Sequence, residues 1–487
     1  MKQTVLACDL GGATFRAGLV DAAGAVTAFA AEPSGSAAHE RAPEDWWRGL
    51  ERLVAALAER DAEGLSAVAA VAITGFTRTQ VLLDAALRPV RPAIMFSDSR
   101  AEALMEEIRA RAPAAHPETA GLNAFHPLAR LFWLGRREPD RLAAAVAVVD
   151  PKDYLNAMLT GRVVSDPISA ARLSASAGLF GALGLRGDLA PEILAPGRII
   201  GPVRADAPGA LGRLAGAPVV SLAHDTWAAA LGLGAMRAGR AYDLSGTTEV
   251  FGVFSREPAA ADGLMSVAWG RGAHQLGGPS QCGGDTLLWA LGLLTGGAVA
   301  PGEAGAAAAR ILAGPRSEAP LLFLPYLNGE RTPWWDPALR GGFIGLDRAH
   351  GPADCLYAVM EGVAFLNQIV LERAEAAIGR PVSEIRFGGG GAASPVWAQI
   401  KADICARPVL TTRAAEPGLI GCAAAALTAL GRFASLDAAQ DAMVAIRRRH
   451  APDAGARARY ERLRPLFLAA HHALAPISAA LGRSGAP

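Results

Sequence analysis

Short apolar runs alternate along this chain with longer stretches whose apolar residues recur at helical spacing. Residues 5–8, 15–20, 68–74, 218–222, 250–254, 385–387 and 409–412 read as buried strands, each bounded by turn-forming residues. Trp46, Leu50, Leu53, Val54 and Leu57 share one helical face and predict a helix over 46–58, started by Pro43, Glu44 and Asp45. At that spacing Trp46 and Trp47 suit a helix core better than a sugar-stacking platform. Residues 81–84 lead into a hairpin before 93–96, and a further helix is predicted around 287–294. Residues 296–318 read as a surface helix or loop. Ser394 and Pro395 form an N-cap and first helical position, with Val396, Trp397, Ile400 and Ile404 as the buried face behind them. This alternation argues for α/β domains, and a restart near Ala241 divides the chain into 1–238 and 239–487.

One phrase occurs twice. Asp9-Leu10-Gly11-Gly12-Ala13-Thr14 returns as Asp243-Leu244-Ser245-Gly246-Thr247-Thr248, each at the opening of one half of the chain. A strand, a glycine turn and a returning strand leave backbone N–H groups in the bend, and such nests bind phosphate oxygens. Two of them suggest a bound nucleotide, although each alone is also an ordinary glycine hairpin. The run Gly388–Gly391 between a strand and a helix could also open a dinucleotide site. The strand that follows, Val409-Leu410-Thr411-Thr412, lacks the acid a ribose would want, so backbone approach to adenosine or phosphate fits better.

Composition narrows the classes. A chain of 487 residues exceeds one ordinary core. The net charge of +1, with acids and bases mixed, gives no basis for a nucleic-acid or membrane partner. Lys2, Lys152 and Lys401 are the only lysines, and none stands in a P-loop context. The five cysteines are scattered and never form C-x-x-C, which suits a reducing cytoplasm, and Cys8 is expected to be a buried strand residue. The first residues lack the pattern of a signal peptide, and the Ala-rich runs fall short of a membrane span.

Several longer motifs point to a family. Tyr326-Leu327-Asn328-Gly329-Glu330-Arg331-Thr332-Pro333, then Asp336-Pro337, Arg340-Gly341 and Glu361-Gly362-Val363-Ala364-Phe365, lie in the second half. Gly389-Gly390-Gly391-Ala392 leads into Ser394-Pro395-x-Trp397-x-Gln399-x-x-Ala402-Asp403, and the first half carries Lys152-Asp153-Tyr154-Leu155 with Leu159-Thr160-Gly161 and Asp166. Over about residues 4–435 the chain resembles the FGGY carbohydrate kinases, most of all the xylulose kinase branch. The resemblance implies duplicated actin-like ATPase (ribonuclease H-like) domains around a central cleft, a sugar-binding catalytic half and a nucleotide-binding half.

It also implies roles. Asp225 takes the position of the general base that receives the sugar hydroxyl's proton, although on its own it could equally cap a helix. Asp9 corresponds to the acid that holds Mg²⁺ through water. Gly11, Gly12, Thr14 and Arg16 form the first phosphate loop, Gly246, Thr247 and Thr248 the second, and Gly389, Gly390 and Gly391 the adenosine side. In the family register Gly11 corresponds to Gly246, one step away from the literal repeat. Relatives carry Thr or Ser after the first Gly, where this chain has Gly12 and Ala13. Thr77 and Arg78 replace a Met-His pair that touches the sugar in xylulose kinases, and Asp98 is a hydroxyl acceptor.

The implied reaction is transfer of the γ-phosphoryl of Mg-ATP to a ketose, a pentulose such as xylulose foremost, in a cytoplasmic enzyme that closes over its substrates and that could be a homodimer. Arg78 leaves open an aldonic acid, and the His224-Asp225-Thr226 wording a deoxy-ketose; a polyol is a further alternative. A non-catalytic nucleotide-binding regulator on the same scaffold is the reading from another class.

Overall fold

The computed structural model describes residues 3–35, 39–270 and 272–484, and the chain folds as two compact units. One holds Met1–Gly232 together with Gly418–Val444; the other holds Leu233–Pro417 and Ala445–Pro487.

In the first unit the apolar runs at 5–8, 15–20 and 68–74 form β1 (Thr4–Leu10), β2 (Thr14–Asp21) and β4 (Val68–Gly75), with β3 (Val26–Pro33) at the edge. Beyond β4 come β6 (Pro218–Val220) and β5 (Ile199–Pro202), giving the order β5-β6-β4-β1-β2-β3. Strands β6, β4 and β1 run parallel, while β2, β3 and β5 each run antiparallel to their neighbours. Helix α1 (Pro43–Arg60) carries the predicted stripe, and its Trp46, Leu50 and Leu53 pack on Leu6, Cys8 and Leu10 with α2 (Pro151–Thr160). Leu50 is fully enclosed, so Leu50→Ala would cost about 3 kcal/mol. The opposite face meets helix α3 (Asp225–Gly232) and the returning helix Pro417–Ala429. These two cross so closely that a Cβ at Gly421 would stand 1.8 Å from the Ala228 carbonyl oxygen.

The second unit repeats this plan. Strands β7 (Arg240–Ser245), β8 (Glu249–Ser255), β9 (Met265–Ala268), β10 (His274–Ser280), β11 (Glu384–Gly388), β12 (Val409–Thr412) and β13 (Ile446–His450) lie in the order β9-β10-β8-β7-β11-β12-β13. Here β7, β11 and β12 are the parallel set. Helices α4 (Gly284–Thr295), α5 (Pro352–Ile378) and α6 (Pro395–Cys405) accompany the sheet. By length and composition α5 could cross a membrane, but most of it is buried in this unit's core. Ser394 caps α6 as read, its Oγ accepting from Trp397 N at 3.2 Å.

The units differ in the crossover between their last parallel strands. In the second it is little more than α6. In the first it runs from residue 76 to 217 and builds an apolar cluster of its own around Leu82, Ile108, Leu131 and Phe132. Residues 81–83 pair there with Ala147–Val149 as well as entering the expected hairpin, whose turn Asp84 shapes by accepting from Ala86 N and Arg88 N, each at 2.9 Å. The sequence places one boundary at 238/239, whereas the chain changes unit at 232/233 and returns for residues 418–444. The helix Pro417–Ala429 is apolar nearly all round, so its pattern does not say which sheet it covers.

Candidate active site

Three loops of the first unit leave the carboxyl ends of adjacent parallel strands, where ligands of open α/β sheets bind. Asp9, next to last in β1, pairs in register with Arg16 on β2 and Thr74 on β4. The chain then turns at Gly11, whose N–H donates to Thr14 O at 3.0 Å, while the N–H groups of Gly12 and Ala13 have no backbone acceptor among the described residues. A Cβ at Gly12 would meet nothing within 4 Å, so a ligand can come right up to this backbone. Arg16 Nη1 lies 3.4 Å from the Cβ position of Gly11, beside the same turn. Asp9 Oδ2 lies 2.8 Å from the Cβ position of Gly418, in the first turn of the helix Pro417–Ala429. A Cβ there would push the carboxylate aside, and a carboxylate is favoured at a helix amino terminus.

Asp225 opens α3 after β6. Its expected rival role as N-cap is filled by His224, whose Nδ1 accepts from Trp227 N at 3.2 Å. Burial pushes the His224 pKa down, so the ring is neutral, with its proton on Nε2. Asp225 Oδ1 accepts from Thr226 N at 2.6 Å and from Thr226 Oγ1 at 3.2 Å. Its Oδ2 receives no hydrogen bond among the described residues, and the side chain is 41% exposed. The loop is tied to the site by Thr74 Oγ1, which donates to Ala223 O at 2.8 Å.

The third loop carries the sugar-side candidates. Arg78 adopts φ of 66°, uncommon for a residue with a side chain. Its carbonyl accepts from buried Arg130 Nη1 at 2.6 Å, and Arg130 also donates to Met95 O at 3.0 Å and Phe125 O at 2.5 Å. That clamp holds the backbone of a residue that is exposed as a whole and has no carboxylate at ion-pair distance among the described residues. Desolvation by the surrounding protein, and then the like charge of Arg172, pull the Arg78 pKa below its usual range. Thr77 is half-buried. Asp98 is placed differently from an open hydroxyl acceptor: it is buried, Oδ1 accepts from Arg100 N at 2.9 Å and Oδ2 from Arg100 Nε at 2.8 Å.

Behind this loop lies a cluster to which the sequence reading gave no role. Lys152 Nζ sits 2.5 Å from Asp153 Oδ1 and 2.9 Å from Asp166 Oδ2, all three enclosed, and Ser165 Oγ donates to Asp153 Oδ2 at 2.6 Å. The charges of Asp166 and Lys152 both reach His224, so the cluster is the electrostatic floor of the Asp225 loop. The run Lys152-Asp153 was the available signal; the contact with Asp166 depends on the fold.

In the second unit Gly246 N donates to Thr248 O at 2.9 Å, and the N–H groups of Thr247 and Thr248 have no backbone acceptor among the described residues. Gly284 N and Asp285 N, at the start of α4, donate to Gly246 O and Thr247 O at 2.8 and 3.0 Å. Gly389, at φ of 81°, passes so close that a Cβ would be 2.4 Å from Ser245 O, and one at Gly391 would be 2.8 Å from the Ser245 side chain. The two glycine turns therefore lie against each other. Strand faces give the register of the repeat: Leu6, Cys8 and Leu10 face α1 and α2, as Ala241 faces α5 and α6. Asp243 shares the face of Ala241, because side chains alternate along a strand. Gly11 thus matches Gly246, and Asp243 matches Cys8 rather than Asp9.

Comparison with known proteins agrees with this duplication. The model described as "FGGY family of carbohydrate kinases, N-terminal domain" matches residues 4–232, and that of the C-terminal domain matches residues 241–430. The xylulose kinase of Escherichia coli (strain K12) is 31% identical over 458 residues, 90% of this chain and 92% of the relative. The gluconokinase of Bacillus subtilis (strain 168) is 25% identical over 461 residues, 88% of this chain and 87% of the relative. Among solved structures, a xylulose kinase from Rhodospirillum rubrum superposes with a TM-score of 0.84 at 27% identity, covering 98% of this chain and 100% of its own.

Proposed function

This chain belongs to the FGGY family of carbohydrate kinases, and from that premise we propose that it transfers the γ-phosphoryl of ATP to a hydroxyl of a pentulose such as xylulose, with Asp225 as general base. The observation that carries the reading is the unbonded Oδ2 of Asp225 at the head of α3, where His224 already serves the helix as cap. The sugar oxygen attacks the γ-phosphorus, the bond to the β,γ-bridging oxygen breaks, and the hydroxyl proton passes to Asp225 Oδ2. ADP leaves with the bridging oxygen. The N–H groups of Gly12 and Ala13, and of Thr247 and Thr248, which have no backbone acceptor among the described residues, suit phosphate oxygens, so backbone donation can stand in for the missing hydroxyl after Gly11.

Mg²⁺ would be held by Asp9. Among the described residues no three His, Cys, Asp or Glu side chains gather to enclose a metal, so no full cage of protein ligands surrounds Asp9. That fits an ion that keeps water and substrate phosphates as its remaining ligands. When bound with ATP it supplies charge neutralisation at the phosphates. Gly418 leaves the Asp9 carboxylate where it stands for that role, since a Cβ there would displace it.

A second reading of the sugar rests on Arg78. Its guanidinium and that of Arg172 lack ion-pair partners among the described residues, an arrangement that suits the carboxylate of an aldonic acid. ADP release from the purified protein with Mg-ATP, measured across ketoses, deoxy-ketoses, polyols and aldonic acids, separates the two. Asp225→Asn is expected to lower kcat on the accepted sugar by about 10³-fold with the KM for ATP unchanged. Turnover that survives this substitution excludes Asp225 as base, and turnover with aldonic acids alone replaces the pentulose.

A further inference from the structure

Of the three lysines in this chain, two lie fully enclosed, in a protein that uses arginine almost everywhere else. Lys152 belongs to the floor of the Asp225 loop. Lys401, on α6, has no part in the chemistry above. Its Nζ donates to Asp243 Oδ2 at 2.6 Å, to Asn367 Oδ1 at 2.7 Å and to Glu249 Oε1. Three N–H donors thus meet three oxygens, which a tetrahedral ammonium does and a planar guanidinium does not. The rings of Phe387 and Trp397 stand 4.9 and 5.2 Å from the same nitrogen.

Two buried carboxylates face this single cation, and Asp243 Oδ1 and Glu249 Oε2 are buried with no hydrogen-bond donor among the described residues. Burial, and then the neighbouring Glu249, push Asp243 well above the usual carboxylate range. As a device for stability this is poor, because apolar residues of similar volume often serve a core at least as well.

Its place in the chain suggests another use. Asp243 ends three residues before Gly246, and Glu249 follows Thr248 directly, so the two acids bracket the phosphate turn on one face of the β7–β8 hairpin. Asn367 comes from α5. Lys401 itself rides on α6, the helix that begins just after Gly389, Gly390 and Gly391. One ammonium therefore joins both ends of one nucleotide turn to the helix that carries the other.

We propose that Lys401 is a positioning residue for the nucleotide: by binding Asp243, Glu249 and Asn367 at once, it fixes the Gly246–Thr248 turn against the Gly389–Gly391 turn so that both address one phosphate chain. The proposal rests on reading these turns as the nucleotide site. It requires an ammonium at 401, so arginine does not substitute.

The test is ADP affinity by calorimetry with Mg²⁺ present, which needs no knowledge of the sugar. Lys401→Met, Lys401→Arg and the uncharged triple variant Asp243→Asn/Glu249→Gln/Lys401→Met are each expected to weaken ADP binding about 10- to 100-fold. The triple variant, with no unpaired buried charge, is expected to melt within a few degrees of the parent. That separates placement from folding. Parental ADP affinity in a folded triple variant overturns the proposal. Should the Lys401 variants fail to fold, Glu249→Gln decides: it keeps volume and hydrogen bond, and unchanged ADP affinity in it is likewise fatal. Gly390→Val is the control, since a Cβ there meets only Ser245 O, at 4.0 Å. If Gly390→Val binds ADP as the parent does, the nucleotide reading of the loops falls and the proposal with it. If Gly390→Val loses ADP and the triple variant keeps it, only the proposal falls.

Discussion

The two Asp-Leu turns look alike in sequence and do different work. Asp9 lies on the sheet face that meets the returning helix, with its carboxylate against Gly418. Asp243 lies on the opposite face of its own sheet, enclosed and bound to Lys401. The cause is one residue of register. Side chains alternate along a strand, so aligning the turns at Gly11 and Gly246 puts the first aspartate on one side and the second on the other. Matched letters in a duplicated protein are therefore weak evidence of matched roles until the turn between the strands is aligned.

The sharpest way to break this comparison is to make the same substitution twice. Asp9→Asn is expected to reduce kcat by about 10²- to 10³-fold and to change the melting temperature little, because it removes one charge while keeping the side chain's size. Asp243→Asn is expected to do the reverse. It keeps kcat at saturating ATP and lowers stability by about 1–3 kcal/mol, the cost of disturbing a buried hydrogen-bonded group. Thermal melts and steady-state kinetics on both proteins check this, and equal behaviour of the two would show the faces to be misassigned.

What was legible in the sequence follows the range of the interaction that decides it. Helix α1 was plain, because Trp46, Leu50, Leu53, Val54 and Leu57 fix it within four turns, and the cap at Ser394 is equally local. The family and with it the duplicated fold came from long motifs such as the one around Gly329. Long-range contacts left no such trace. Gly418 meets Asp9 across most of the chain, and the helix that carries it returns to the first unit without any signal in its own pattern. Lys401 reaches Asp243 from 158 residues away. The capping of α3 turned on which of two adjacent polar residues, His224 or Asp225, pointed at Trp227 N, a choice their order does not reveal.

Arg78 allows a smaller test confined to the first unit. Arg78→Gln keeps a polar hydrogen-bonding side chain and removes the charge. If an acidic sugar is the substrate, its KM is expected to rise about 10- to 100-fold, the worth of a charge-assisted hydrogen bond, with neutral ketoses unaffected. If a pentulose is the substrate, the same variant moves its KM little. Gly418→Ala is smaller again. The added methyl would stand 2.8 Å from Asp9 Oδ2, a side-chain end that can swing aside. Activity is expected to fall about tenfold, the effect of a displacement below 1 Å, with Tm unchanged. The corresponding replacement at Cys8, the true counterpart of Asp243, reaches only core and is expected to alter stability alone.

The smallest effect compares the units through a buried histidine in each. His126, fully enclosed, accepts from Leu128 N through Nδ1 at 3.2 Å, and His471 stacks on Trp334 with centroids 3.9 Å apart. Burial lowers both from 6.5 to about 4. Between those values the unfolded chain binds the proton that the folded chain refuses. Each histidine's stabilising effect is therefore complete above pH 6.5 and is lost as pH falls through the window towards 4. At pH 5 the loss is about 2 kcal/mol for each. His126→Asn keeps an acceptor for Leu128 N and cannot titrate, so it is expected to narrow the gap in stability between pH 7.5 and pH 5 by about that amount. His471→Asn is expected to do the same for the second unit. Thermal melts of the parent and both variants at the two pH values measure it, and a gap that neither variant narrows would mean that both rings take up the proton in place.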